Sequence, residues 1–193
     1  MNLLHIDSSI LGEASASRGL TKEIVARLKA RHPDAEVTYL DLAAGDLPHL
    51  SHKSLARSDA GEAEKNAQAL EQFLAADVVV IGAPIYNFSI PSQLKAWIDR
   101  ISVAGRTFRY TANGPEGLAG GKQIIVAMSR GGVSAAADRG EFSESYLKFL
   151  FGFFGIKDVR FVHAEGLNLS PQHREASLSR AHAAIASGEA LAA

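Results

Sequence analysis

Apolar residues along the chain form two alternating patterns, short continuous runs and longer stretches with helical spacing. The clearest run is Asp77–Ala83, which is apolar on both faces and rich in β-branched residues, as expected of a central parallel strand. Shorter runs of the same kind predict four further strands, at Leu3–Asp7, Val37–Leu40, Gln123–Met128 and Val159–Ala164.

The stretches between these runs predict helices. Leu20, Ile24 and Leu28 have helical spacing and follow Ser15 and Ser17, either of which is a suitable N-cap, so a helix is expected to continue to about Arg31. The other predicted helices cover Gly61–Ala75, Pro91–Ile101, Phe142–Phe154 and Gln172 to about Ala190. One further stretch, Thr107–Leu118, predicts a hairpin or a tight loop excursion.

Strands and helices therefore alternate, which predicts an α/β fold with helices on both faces of a parallel sheet. We expect one domain over residues 1–193, a three-layer, doubly wound sandwich with a five-stranded parallel sheet in the order 2-1-3-4-5. Periodicity alone leaves other α/β strand orders open. For this order, a ligand is expected outside the carboxyl ends of the first and third strands. The loops that meet there are Ser8–Ser17, Pro84–Pro91 and Ser129–Gly140.

Serine hydroxyls dominate the first of these loops, at the N-terminus of the first helix. Unpaired backbone N–H groups and the helix dipole attract an anion there, and hydroxyls add donors that suit a phosphate monoester. Helix capping by Ser15 and Ser17 is the alternative explanation, and it is the commoner use of such serines.

The other two loops suggest a planar ligand with polar edges. In Pro84–Pro91, two prolines bracket Tyr86, Asn87 and Phe88, against which a ring system can lie; the alternative is a rigid turn whose aromatic side chains fill the core. In Ser129–Gly132, paired glycines allow the backbone to approach a ligand, although an ordinary glycine turn has the same sequence. Together the three loops match the phosphate, linker and flat ring of FMN.

Composition excludes several other classes of function. The 193 residues carry a net charge of −1, which argues against a nucleic-acid surface or a polybasic membrane patch. The absence of cysteine excludes thiolate nucleophiles, iron–sulfur clusters and cysteine-bound zinc, and it fits a reducing cytoplasm. His49 and His52 have no clear third ligand nearby, so no metal is expected. The N-terminus predicts a strand rather than a signal peptide, and no apolar run approaches the roughly 18 residues that cross a bilayer.

The chain resembles the FMN-dependent NADH-azoreductases, also described as FMN-dependent NADH:quinone oxidoreductases, in these loops and in several other segments. The most specific similarities are Ala83–Phe88 and Phe108–Leu118. Weaker ones lie at Ser8–Ile10, Ser15–Ser17, Gln93–Lys95, Ser129–Gly132, Tyr146–Leu147, Gly152–Phe153 and Ala164–Gly166.

The resemblance implies a flavodoxin-like fold and a homodimer with two FMN sites at the subunit interface. It assigns the FMN phosphate to Ser9, Ser15, Ala16 and Ser17, the isoalloxazine to Pro84, Ile85, Tyr86, Asn87 and Phe88, and the pyrimidine edge to Ser129, Arg130, Gly131 and Gly132. It assigns the substrate pocket to Phe88, Tyr110 and, from the partner subunit, Phe153. The crowding of Phe149, Phe151, Phe153 and Phe154 on one predicted helix supports a partner or ligand there, although a helix buried all round is the alternative.

The implied reaction transfers hydride from NADH or NADPH to flavin N5 and then two electrons to a quinone or an azo compound, with no obligatory catalytic side chain. A reductase of nitroaromatics or metal chelates, a one-electron carrier and a flavin-free interaction domain remain alternatives. Arg57 and Arg130 are candidates to contact the 2′-phosphate of NADPH. Two departures from the family bear on substrate choice: Val133–Ala136 stands where a histidine is common, and Pro48–Gly61 is short.

Overall fold

The computed structural model describes residues 1–45, 47–56, 58–133 and 142–188. The strands are β1 (Asn2–Asp7), β2 (Glu36–Asp41), β3 (Val78–Pro84), β4 (Phe108–Thr111), β5 (Gly114–Gly117), β6 (Gln123–Ser129) and β7 (Asp158–Ala164). The helices are α1 (Ala16–Arg31), α2 (His52–Ala56), α3 (Ala60–Ala75), α4 (Ser92–Ile101), α5 (Ser143–Phe153) and α6 (Pro171–Ser187).

The five predicted sheet strands are all present. They pair in parallel in the order β2-β1-β3-β6-β7, which confirms the predicted doubly wound arrangement. The connection from β1 to β2 runs over one face of the sheet, and the connection from β2 to β3 runs over the other. A cleft therefore opens between the carboxyl ends of β1 and β3. The short helix α2 was not predicted, because five residues of a polar loop carry no readable periodicity.

Side chains alternate along the central strand and supply both layers of the core. Val78 and Val80 point to the face covered by α1 and α6, whereas Val79 and Ile81 point to the face covered by α3, α4 and α5. The second face holds the largest buried rings, Phe73, Trp97, Phe151 and Phe154. Among the described residues, no helix combines the length and the apolar character needed to span a bilayer.

The predicted hairpin is formed by β4 and β5, and it packs against the end of α5. Ala119 N donates to Phe154 O at 2.9 Å, which fixes the segment after β5 to the helix terminus. The contact depends on the absence of a side chain at Gly117, since a Cβ there would lie 2.1 Å from Gly155 N and 2.2 Å from Phe154 C. The hairpin and the C-terminal end of α5 therefore form one packed unit.

This contact predicts opposite effects for two glycine-to-alanine substitutions. Gly117→Ala forces two backbone segments apart, so we expect it to lower the free energy of unfolding by roughly 2 kcal/mol or more. Gly19→Ala, at an exposed position of α1 where a Cβ meets nothing within 4 Å, is expected to raise it by about 0.5–1 kcal/mol. Urea denaturation followed by circular dichroism measures both. Equal stability of the Gly117→Ala variant and the wild type would show that the hairpin is not packed in this way.

Candidate cofactor-binding site

The three predicted loops meet at one pocket of about 160 Å³ at the carboxyl edge of the sheet. Nine predicted site residues line it: Ser9, Ser15, Ala16, Pro84, Ile85, Tyr86, Ser129, Arg130 and Gly131. The remaining cofactor candidates, Ser17, Asn87, Phe88 and Gly132, belong to the same loops beside the pocket.

The serine loop combines a helix cap with unused donors. Ser15 Oγ accepts a hydrogen bond from Arg18 N at 3.3 Å, so Ser15 is the N-cap of α1, and it also contacts Ser17 Oγ at 3.1 Å. The amide N–H groups of Ala16 and Ser17, in the first turn, have no acceptor among the described residues. Capping and anion binding are therefore compatible here, because the cap uses only one of the donors at the helix end.

An arginine–aspartate pair holds this loop in place from outside the pocket. Arg18 forms a bidentate pair with Asp41, with both N···O distances 2.7 Å, and its Nη2 also donates to Ser9 O at 2.8 Å. The hydrogen bonds from Arg18 outweigh partial burial and hold the pKa of the Asp41 carboxyl below its usual value. The end of β2 thereby fixes the backbone at Ser9.

A buried carboxylate lies directly beneath the loop. Asp7 is 3% exposed, accepts a hydrogen bond from Thr21 Oγ1 at 2.8 Å and lies 3.4 Å from His5 Nε2. Burial alone would raise the pKa of Asp7, but the interactions with His5, Thr21 and Tyr39 outweigh it, and the pKa is lowered. The buried Asp7 carboxylate thus links β1 to Thr21 of α1 and does not line the pocket.

The second loop is a tight turn with an unusual backbone. Tyr86 and Ser89 exchange both backbone hydrogen bonds, at 2.9 and 3.0 Å, and enclose Asn87 at φ 48° and Phe88 at φ 68°. Positive φ at both central positions defines a type I′ turn, which Asn tolerates but which strains a bulky residue such as Phe. The amide N–H groups of Asn87 and Phe88 have no acceptor in the described part of the chain, and the Phe88 side chain is 76% exposed. The turn therefore presents its backbone and one aromatic ring outward, which rules out the core-filling alternative for Phe88.

Tyr86 links the two loops. Its hydroxyl is hydrogen-bonded to Ser9 Oγ at 3.1 Å and accepts from Ile10 N at 3.3 Å. Ile85 N donates to Ser129 O at 2.8 Å, so the turn is also tied to the end of β6.

The glycine loop is held by the segment after β7. Gly131 O and Gly132 O accept hydrogen bonds from Asn168 N at 2.9 Å and Gly166 N at 2.7 Å. A Cβ on Gly131 would lie 2.5 Å from Asn168 Nδ2, so a larger residue there would displace the Asn168 side chain. The amide N–H groups of Gly131 and Gly132 have no acceptor among the described residues.

The β7–α6 connection contributes a wall of the pocket that sequence reasoning missed. Leu167 and Asn168 of the connection line the pocket, as do Arg174 of α6 and Leu11 and Ala14 of the serine loop. The signal was present, because a fifth parallel strand ends at the same edge of the sheet as the other four.

The residues assigned to the substrate pocket separate into two groups. Phe108 contacts both Tyr110, at 5.6 Å between ring centroids, and Phe153, at 4.8 Å, so the latter two belong to one aromatic cluster on the hairpin and α5. Phe88 makes no ring contact within the described part of the chain. Phe149, which stacks on Phe153 at 6.4 Å, is 73% exposed, so α5 is not buried all round.

Comparison with known proteins identifies the family. A family model described as flavodoxin-like fold matches residues 1–187. The chain belongs to this flavodoxin-like family. It is 54% identical over 202 aligned residues to the FMN-dependent NADH:quinone oxidoreductase of Rhizobium meliloti (strain 1021), covering 99% of this chain and 98% of that one. It is 56% identical over 185 residues to the protein of the same name from Xanthomonas oryzae pv. oryzae (strain MAFF 311018), covering 96% and 95%.

A solved structure gives the same assignment. The crystal structure of an FMN-dependent NADH-azoreductase from Bacillus anthracis str. Ames Ancestor, in complex with FMN, superposes with a TM-score of 0.84 at 27% identity, covering 97% of this chain and 99% of that one. The flavodoxin-like family and the resemblance to azoreductases and quinone oxidoreductases are thus confirmed.

Within this flavodoxin-like framework, a larger pocket lies away from the predicted site. It has a volume of about 710 Å³, lies between α2, α3 and α4, and contains none of the predicted site residues. Two arginines were considered for the 2′-phosphate of NADPH. Arg130 Nε lies 3.3 Å from Glu165 Oε1, and Arg57 falls outside the described residues. Residues 134–136, where the family often has a histidine, also lie outside them.

The type I′ turn predicts that glycine at position 88 gives a more stable protein than alanine, which is the reverse of the usual order of these two residues. Phe88→Gly and Phe88→Ala both remove the exposed ring, but only alanine keeps a Cβ at φ 68°. We expect Phe88→Gly to be the more stable variant by about 1 kcal/mol, because the left-handed region costs non-glycine residues roughly 1–2 kcal/mol. Parallel urea titrations measure the difference, and an alanine variant more stable than the glycine variant would contradict the strained turn.

Proposed function

We propose that the chain is an FMN-dependent NADH:quinone oxidoreductase that also cleaves aromatic azo compounds reductively, and that it acts in the cytoplasm. One observation carries the proposal: three loops with unused backbone donors surround one pocket at the switch point of the sheet. The names of close relatives over nearly the full chain support the same activity.

The donors of the serine loop fit the FMN phosphate. The amides of Ala16 and Ser17 point from a helix N-terminus, and the hydroxyls of Ser9, Ser15 and Ser17 surround them. Among the described residues that line the pocket there is no carboxylate, so they place no negative charge against a dianionic phosphate.

The other two loops fit the isoalloxazine ring. The amides of Asn87 and Phe88 in one loop, and those of Gly131 and Gly132 in the other, have no acceptor among the described residues, and both loops border the pocket. The ring's nitrogens and carbonyl oxygens are acceptors for such donors. The strained backbone of the Asn87–Phe88 turn then has a function, because it exposes two successive amides and an aromatic ring next to each other.

When bound, FMN supplies the hydride chemistry at N5, and the chain supplies position and exclusion of water. Asp7 is buried and does not line the pocket, and the described side chains that do line it include no acid. We therefore assign no side chain to proton transfer.

A second subunit completes the substrate pocket in this proposal. Tyr110 is 75% exposed beside Phe153, while Phe88 stands 76% exposed on its turn without a ring partner. Exposed aromatic side chains on two separate surfaces indicate burial against another chain. Because Phe108 joins Tyr110 to Phe153, we assign both residues to the partner's contribution, whereas the resemblance placed only Phe153 there.

The activity is tested by anaerobic visible spectroscopy of the purified protein with FMN. We expect flavin bands that NADH bleaches and that benzoquinone restores. Bound flavin that dithionite bleaches but neither NADH nor NADPH does would indicate an electron carrier. Bleaching by NADH with recovery only by a nitroaromatic or a ferric chelate would indicate one of the other reductases. A protein that binds no flavin would refute the proposal.

Sedimentation equilibrium tests the dimer. We expect twice the 20.5 kDa of one chain, and Phe149→Glu, which places a charge on the exposed aromatic face of α5, is expected to shift the mass toward one chain. Val37→Glu, at a partly exposed apolar position on the edge strand β2, is the matched control and is expected to leave the mass unchanged. A wild-type protein that sediments as a single chain would exclude a shared pocket.

A further inference from the structure

The first turn of α6 places a cation against the pocket. Arg174 lines the pocket together with Ser15, Ala16, Gly131 and Asn168, and its own backbone N–H donates to Ser170 O at 3.0 Å. Since the pocket measures only about 160 Å³, Arg174 and the serine loop border the same small volume.

The other arginines near the pocket have acidic partners. Arg18 makes its bidentate pair with Asp41, and Arg130 lies 3.3 Å from Glu165. Arg174 has no carboxylate partner among the described residues. No lysine, aspartate or glutamate is among the described residues that line the pocket. Its electrostatic character is therefore set by two arginines, of which only Arg130 has an acid beside it.

Such an arrangement suits a doubly charged anion. A phosphate monoester has a second pKa near 6 and is mostly dianionic at neutral pH. Two helix amides and a few hydroxyls supply hydrogen bonds but no full positive charge, whereas a guanidinium supplies both in a planar fork.

We infer that Arg174 binds the terminal phosphate of FMN from α6 and thereby makes the site selective for FMN over riboflavin. The inference rests on the proposed function, because it names a further contact of that same cofactor. Arg174 thereby completes a phosphate seat that also includes the serine loop, so the seat is built from both ends of the chain.

Flavin titrations test this inference. Quenching of flavin fluorescence gives the Kd of FMN and of riboflavin for the wild type, Arg174→Gln, Arg174→Lys and Arg180→Gln. We expect Arg174→Gln to weaken FMN binding roughly 10- to 100-fold, the range for a lost hydrogen bond to a charged group, and to change riboflavin binding less than about twofold. The Kd of FMN for Arg174→Lys is expected to lie between those of the wild type and Arg174→Gln, because lysine keeps the positive charge but lacks the planar fork of donors. Arg180→Gln, at an exposed position of the same helix, is expected to bind like the wild type.

The outcomes separate this inference from the proposed function. Wild-type protein that binds neither flavin refutes the function itself. Wild-type protein that binds FMN, with Arg174→Gln binding it equally well, refutes only the role of Arg174. An equal loss of FMN and riboflavin affinity also refutes it, because the residue then acts on the ring or on the fold. Unchanged FMN affinity with a raised KM for NADPH but not for NADH would assign Arg174 to the 2′-phosphate of the donor instead.

Discussion

The parallel pairing of β1 with β3 is the constraint on which the site depends. These strands run side by side with Asp7 opposite Gly82, and the chain leaves them toward opposite faces of the sheet. A Cβ on Gly82 would lie 2.7 Å from Asp7 Oδ1, so glycine in the central strand is what leaves space for the buried carboxylate. The serine loop begins immediately after Asp7 and is fastened to β3 by a hydrogen bond of 2.6 Å from Ser8 Oγ to Gly82 O.

Around that cleft, the groups that stabilise the loops differ from the groups proposed to bind the ligand. The loops are held by their carbonyl groups, by some of their amides, such as Ile85 N, and by outer side chains, such as Arg18 with Asp41. The amide N–H groups at Ala16, Ser17, Asn87, Phe88, Gly131 and Gly132 have no acceptor among the described residues. Loops that are rigid and yet rich in unused donors bind an acceptor-rich ligand without a large ordering cost.

The sequence was informative where periodicity and special residues coincide. Continuous β-branched runs placed the sheet strands, and the prolines around Tyr86–Phe88 placed the turn beside them. Its backbone could not be predicted, because Phe at positive φ runs against local preference and is imposed by the surroundings. Helix α2 was missed because its few residues show no period. Arg174 was missed because its position against Ser15 depends on how α6 packs beside α1, which sequence spacing does not show.

The contact between Gly117 and Gly155 has a consequence for how an acceptor is received. It joins the hairpin to the end of α5 at the level of the backbone, and Phe108 fills the space between Tyr110 and Phe153. The two aromatic side chains are therefore preassembled within each chain before any partner arrives. In the proposed dimer, the cover over the flavin is delivered as a rigid body, and the two subunits need only dock rather than fold a lid. Variation in acceptor preference would then arise from the angle at which the subunits meet as much as from the residues that touch the acceptor.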